Sequence, residues 1–316
     1  MTPSTIPARR LVALAAAALA VVLTVGLAVF PRSSADAAQR STPALGTIAA
    51  DELHVMTFNL RYASTSRPNS WAERRPVMRD LLRKERPDIL GTQEGLYSQL
   101  QDIEKDLPGN DYRMIGVGRE GGSRGEFMAV FYNTDRLQPL EFDHFWLSDT
   151  PNVIGSNTWG GGSIRMVTWV RFLDKVTNQQ FFALNTHLDN SSENARRRAA
   201  SLIDQRVRAL NPALPKIVTG DFNTAAGAGS VPYSTLVTNG VLQDTWVNAA
   251  ERSPVYGTFH NYRPLTPNGA RIDWILASAG VTTRAVAINT FSKGGQFPSD
   301  HLPVEAVVKL PAPAAS

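Results

Sequence analysis

Apolar and polar positions fall in short blocks separated by turns, and each block reads as a strand or a helix. In Leu53-His54-Val55-Met56-Thr57-Phe58-Asn59-Leu60 the period is two. Leu53, Val55, Thr57 and Asn59 share one face, with Asn59 polar at its far end. Further strands are expected at 126–132, 166–172, 181–189, 271–276 and 305–308, and at Ile89-Leu90 and Ile217-Val218. Helical spacing appears in Val77, Leu81 and Leu82 after a Ser70-Trp71-Ala72-Glu73 capping box, although Pro76 moves the expected start toward Arg75. It recurs in Tyr97, Leu100 and Ile103, and again in Leu202 and Val207 behind Arg196-Arg197-Arg198, a run that reads as a solvated face. Nothing repeats at a fixed period. Many strands, few helices and short connections predict an α/β domain of two packed sheets with helices outside.

The start of the chain has another character. Arg9-Arg10 precede an uninterrupted apolar run over 11–30, and Ala35-Asp36-Ala37 gives a small-x-small cleavage pattern. Residues 1–37 therefore read as a signal peptide, or as an N-terminal membrane anchor, since the run is long enough to span a bilayer. Both readings place the body outside the cytoplasm, secreted or tethered by its leader. Residues 38–50 are expected as a flexible linker, 51–310 as the domain and 311–316 as a tail. The formal charge of +4 belongs mostly to the leader: residues 1–40 hold four arginines against one aspartate, which leaves 28 basic and 27 acidic residues and a body at +1. Overall charge thus gives no licence for a nucleic-acid partner. The chain has no cysteine, which excludes disulfides and thiolate metal sites. A monomer is expected.

Polar residues recur where strands end: Asn59, Glu94, His187, Asp221, Asn223, Asp273, Asp300 and His301. Each has an ordinary reading. Asp221 and Asn223 suit an Asx turn after a glycine, Gly220, that lets the backbone bend. Glu94 suits an exposed helix start, and His187 a structural histidine. Asp273, between Ile272 and Trp274, is costly unless paired. Their recurrence at strand ends fits one shared site. Carboxylates, amides and two histidines select Mg²⁺, Mn²⁺ or Ca²⁺ over softer ions. A histidine with an acid partner suits general-base work on water. Arg119, in the Gly-rich loop 118–125, and Arg165, at a strand entry, are candidate phosphate contacts. The loop lacks P-loop spacing and reads first as a hairpin. Phe142, Phe145, Trp146 and Trp159 either anchor a long loop or form an apolar lip.

Six motifs in order carry a resemblance: Phe58-Asn59-Leu60-Arg61, Gln93-Glu94, Asn185-Thr186-His187, Gly220-Asp221-Phe222-Asn223, Ile272-Asp273 and Ser299-Asp300-His301-Leu302-Pro303-Val304. Together they resemble the endonuclease/exonuclease/phosphatase superfamily over about 53–308. The resemblance implies a four-layer α/β/β/α sandwich and a Mg²⁺-dependent phosphoester hydrolase, with a phosphodiesterase or nuclease as the leading expectation. Lipid or sugar phosphoesterases, and a non-catalytic binding module, are the alternatives. The substrate would be nucleic acid, a phospholipid headgroup or a sugar phosphate. Carried over, Glu94, Asn59 and Asp300 would hold the metal. His301 would be the base, oriented by Asp273, while Asp221 and Asn223 position water and phosphoryl oxygens. His187 would stabilise charge or assist the leaving group, with Glu126 as its acidic partner. Arg165 and Arg119 would contact substrate. Arg61 stands where abasic-site enzymes of the superfamily have a second acid, which leaves the metal count open.

Overall fold

The computed structural model describes residues 40–109 and 111–312; the expected leader lies outside the described residues. Two mixed sheets carry the domain. One has six strands in the order Leu242–Asp244, Asp273–Ser278, Lys216–Asp221, Gln179–His187, Met166–Asp174 and Leu137–Trp146. The other has seven: Glu251–Arg252, Thr282–Ile288, Val304–Lys309, Leu53–Asn59, Ile89–Gln93, Val130–Asn133 and Tyr112–Ile115. Each sheet holds one central parallel pair, Gln179–His187 with Lys216–Asp221 and Leu53–Asn59 with Ile89–Gln93. Parallel neighbours end at the same edge, so each pair delivers two strand ends side by side.

Strand alternation then sorts the layers. Leu53, Val55 and Ile89 face Val170, Phe172, Phe181, Ile217 and Ile275 across the gap between sheets. The opposite face of the six-stranded sheet, including Leu184, Val218 and Leu276, packs under Ala199, Ile203 and Val207 of helix Glu193–Ala209. Met56, Phe58 and Leu90 on the other sheet pack under helices Trp71–Glu85 and Tyr97–Asp106. The result is the expected α/β/β/α sandwich. Among the described residues no helix is long and apolar enough to cross a membrane.

Toward the strand ends the space between the sheets turns polar. Gln93 Nε2 donates to Thr57 Oγ1 (3.1 Å) and to Asn185 Oδ1 (2.7 Å), and Thr219 Oγ1 donates to the same Asn185 oxygen (3.1 Å). Asn185 Nδ2 returns two bonds to the Thr92 and Ala129 carbonyls. All four side chains are buried; the Gln93 and Asn185 amide N–H groups find acceptors, while Gln93 Oε1 has no partner among the described residues. Gly91 makes room for it: a Cβ there would lie 2.0 Å from Thr219 Oγ1.

Three local expectations need correction, and one alternative is decided. Residues 40–48, read as linker, form a hairpin of Arg40–Thr42 on Gly46–Ile48. Leu45 and Ile48 bury against Ala285, Ala287 and Val307, so two scattered apolar residues override a polar composition. The helix starts at Trp71 rather than near Arg75, because the Ser70–Glu73 capping box forms and Pro76 is carried inside it. The strand runs through Gly220 to Asp221, and the bend comes at Asn223, with φ +50°. Phe145, Trp146 and Trp159 are buried as anchors, leaving Phe142 (56% exposed) as the one exposed aromatic of the expected lip.

Candidate active site

The ends of the two parallel pairs meet around Asp221, which is 1% exposed. In register, Asp221 lies opposite His187 on one side and Asp273 on the other. Asn59 ends its strand in the facing sheet and bridges the gap: Nδ2 donates to Asp221 Oδ2 and to Glu94 Oε1, both at 2.9 Å. Asp221 Oδ1 accepts from the Asn223 main chain (2.9 Å), closing the Asx turn. That turn and the site are therefore the same object.

His301 comes from the last segment before the closing strand. Its Nδ1 is 2.9 Å from Asp273 Oδ2, and its Nε2 is 3.8 Å from Asp221 Oδ2. Burial opposes a charged ring, but Asp273 and then Asp221 outweigh it and hold the imidazole up to about 10. Asp221 is itself pushed up to about 7, first by burial and then by Asp273. His187 behaves oppositely: burial, then the Arg165 charge, pull it well below the usual histidine range. Its Nε2 is 2.9 Å from Asn223 Nδ2 and 3.4 Å from Asp221 Oδ2.

Backbone strain marks the same region. Arg61, Glu94 and Asn223 all have φ between +50° and +61°, each just past a strand end. The left-handed region costs a non-glycine residue about 1–2 kcal/mol. Such conformations persist where surrounding bonds over-determine them. Here the Arg61 N–H donates to Asn59 Oδ1 (2.9 Å) and the Tyr62 N–H to Glu94 Oε2 (3.2 Å).

The structure thus brings Asn59, Glu94, His187, Asp221, Asn223, Asp273 and His301 together. Asp300 is adjacent: its Oδ2 lies 3.8 Å from Arg61 Nε, and its Oδ1 receives the Ser299 hydroxyl at 3.3 Å. Glu126 does not partner His187. Its carboxylate accepts from Arg119 Nη1 at 2.6 Å, because the 118–125 loop folds as the hairpin that sets those two side chains together. His187 Nδ1 has no hydrogen-bond partner among the described residues. Arg119 is accordingly occupied by Glu126 rather than free. Arg165 is different: it is buried, its Nε and Nη1 have no hydrogen-bond partner, and its closest carboxylate, Asp189, stands at 3.9 Å. Arg74 was not legible as part of the site. In Glu73-Arg74-Arg75 it reads as a solvated helix charge, yet it is fully buried behind Asn59.

Asp221, Asp273 and His301 each offer a ligand atom, all within 4.8 Å of one another, and Glu94 adjoins through Asn59. Asp273 Oδ1 is buried with no partner. An oxygen-rich donor set, a histidine, no sulfur and an orphaned carboxylate oxygen fit a hard divalent cation.

Paired acids with a buried acid–histidine couple at the joined ends of two sheets define a phosphoester hydrolase of the sandwich type. The chain belongs to the endonuclease/exonuclease/phosphatase family, whose model matches residues 56–301. Members of this family are divalent-metal-dependent phosphoesterases. The mannosyl-6-phosphatase of Bacteroides thetaiotaomicron VPI-5482 is 34% identical, with a TM-score of 0.75 over 81% of this chain and 99% of that one. A family protein of Bacteroides vulgatus is 33% identical, with a TM-score of 0.76 over 82% of this chain and 99% of that one. An uncharacterized protein of Acanthamoeba polyphaga mimivirus is 32% identical over 164 residues; that match spans 49% of this chain and 59% of the viral protein.

Proposed function

We propose that this protein is an extracytoplasmic, divalent-metal-dependent phosphatase acting on small sugar phosphates, with Mg²⁺ as the physiological ion and Mn²⁺ as a substitute. The observation that carries the hydrolytic reading is the Asp273–His301 couple beside Asp221, bridged by Asn59 to Glu94. The sugar-phosphate reading draws on the likeness to the mannosyl-6-phosphatase. It also draws on a body near neutrality, which provides little attraction for a polyanion. The lipid alternative is weakened by the burial of Phe145, Trp146 and Trp159. The apolar leader is the basis for export or anchoring, and N-terminal sequencing of the mature protein tests it.

Glu94, Asn59 and Asp300 would hold the cation, with Asp221 and the unpaired Asp273 Oδ1 close by; when bound, it would neutralise phosphoryl charge and stabilise the leaving oxygen. The protein's own groups do the rest. His301 Nε2 accepts the proton of the attacking water, while Asp273 holds Nδ1 and steadies the imidazolium that results. A bound cation would add positive charge among these acids and so favour the neutral, proton-accepting form of His301. Asp221 and Asn223 fix the water and the phosphoryl oxygens. His187, kept neutral, orients Asn223. Arg165 presents its two unpaired N–H groups to the phosphate.

Purified protein is expected to release phosphate from mannose 6-phosphate, to lose that activity in EDTA and to regain it with Mg²⁺. Asp221→Ala and His301→Ala should each lower kcat at least ~10²-fold, the usual scale for removing a catalytic group. Near-wild-type turnover in either variant overturns the assignment. Preference for bis-p-nitrophenyl phosphate or plasmid DNA would move the substrate class to diesters.

A further inference from the structure

We propose that Arg74 is a positioning residue, setting the side chains of Asn59 and Glu94 through two intervening peptide units. The inference rests on the divalent-cation reading above. Arg74 lies near the start of helix Trp71–Glu85 and is 0% exposed. A guanidinium has five N–H donors, and here five bonds run from it to main-chain carbonyls. Nε donates to Asn69 O (2.9 Å); Nη1 donates to Leu60 O (2.7 Å) and Pro298 O (3.0 Å). Nη2 donates to Arg61 O (3.1 Å) and Tyr62 O (2.9 Å). A buried cation met by carbonyl dipoles is expensive to keep unless it organises something.

What it organises follows from peptide geometry. In a trans peptide unit the C=O and the N–H point in opposite directions. The Leu60 carbonyl that Arg74 holds belongs to the same unit as the Arg61 N–H, which donates to Asn59 Oδ1 at 2.9 Å. The Arg61 carbonyl belongs to the same unit as the Tyr62 N–H, which donates to Glu94 Oε2 at 3.2 Å. Two peptide units therefore run from one guanidinium to the two side chains, and Arg74 polarises both. Arg61 has φ +50°, a conformation this turn would not favour unaided. The third link is Pro298, next to Ser299, whose hydroxyl donates to the Asn59 carbonyl at 2.7 Å. Arg74 thus also holds the entry to Asp300 and His301 in register with Asn59.

Arg74→Lys keeps the charge but has three donors and no planar fork, so it cannot serve all these carbonyls. Calorimetric titration with Mn²⁺ of the full chain, wild type against R74K, reads the effect without turnover. Loss of an outer partner of a metal ligand typically weakens binding about 10- to 100-fold, and that range is expected for R74K. At saturating Mn²⁺, kcat should fall while KM for mannose 6-phosphate stays near wild type. A folded R74K with wild-type Mn²⁺ affinity overturns the proposal. If R74K does not fold, Arg74→Gln, which keeps a planar N–H donor without the charge, takes its place. Wild-type affinity in a folded R74Q is then equally fatal. Absence of Mn²⁺ binding in the wild type defeats the metal reading itself, and this inference with it.

Discussion

A guanidinium as deeply buried as Arg165, with Nε and Nη1 making no hydrogen bond and its Asp189 partner 3.9 Å away, is only loosely paired for such burial. Burial already pulls its pKa down. An arriving phosphate supplies the acceptors that Nε and Nη1 lack. Arg165→Met should therefore raise KM for a phosphomonoester by about 10- to 100-fold, since hydrogen bonds between charged groups contribute about 1.5–3 kcal/mol. Steady-state kinetics checks this; an unchanged KM would remove Arg165 from substrate binding. Arg165 was visible in the sequence because it opens a strand. Arg119 looked equally placed, and it differs only because a hairpin turn sets Glu126 beside it. Local turn geometry, not composition, decides which of two arginines stays free, and sequence spacing does not carry that information.

Helix Trp71–Glu85 begins with a capping box written plainly in Ser70-Trp71-Ala72-Glu73, and that overrode the reading of Pro76 as a start signal. Its other end was not legible. Glu85 enters a buried polar cluster, with Asn289 Nδ2 donating to both Glu85 Oε1 (2.9 Å) and Glu305 Oε1 (2.8 Å). Burial, then the Glu305 carboxylate, push Glu85 up to about 7 from an ordinary 4.5. The folded state thus holds a proton that the unfolded chain releases between those values, so this group's stability contribution falls as pH rises from 4.5 to 7. Glu85→Gln stays neutral throughout. It should raise Tm over wild type at pH 8 and give no gain near pH 4; equal shifts at both pH values would contradict the argument. The 40–48 hairpin was missed for a related reason. Its anchors, Leu45 and Ile48, are too few to form a periodic pattern and count only once the Ala285–Val307 surface exists.

Strand alternation was enough to foresee the sandwich, because faces such as Leu53/Val55 and Met56/Phe58 sort into separate layers. Strand order and the meeting of two parallel pairs depend on pairings distant in sequence, which periodicity does not carry. The near-neutral body makes a prediction about the molecule's field. Binding to duplex DNA, measured by fluorescence anisotropy at 50 mM salt, should be weaker than the micromolar non-specific binding of basic proteins, about 10⁻⁴–10⁻⁶ M. Tight, steeply salt-dependent binding would revive the nuclease reading. The Ser299 hydroxyl on the Asn59 carbonyl has one more bearing. It fastens the segment that carries His301 to the strand that ends at Asn59, about 240 residues earlier. During synthesis Asn59 is therefore made long before His301. A growing chain stays silent toward phosphate esters until the His301 segment has been added.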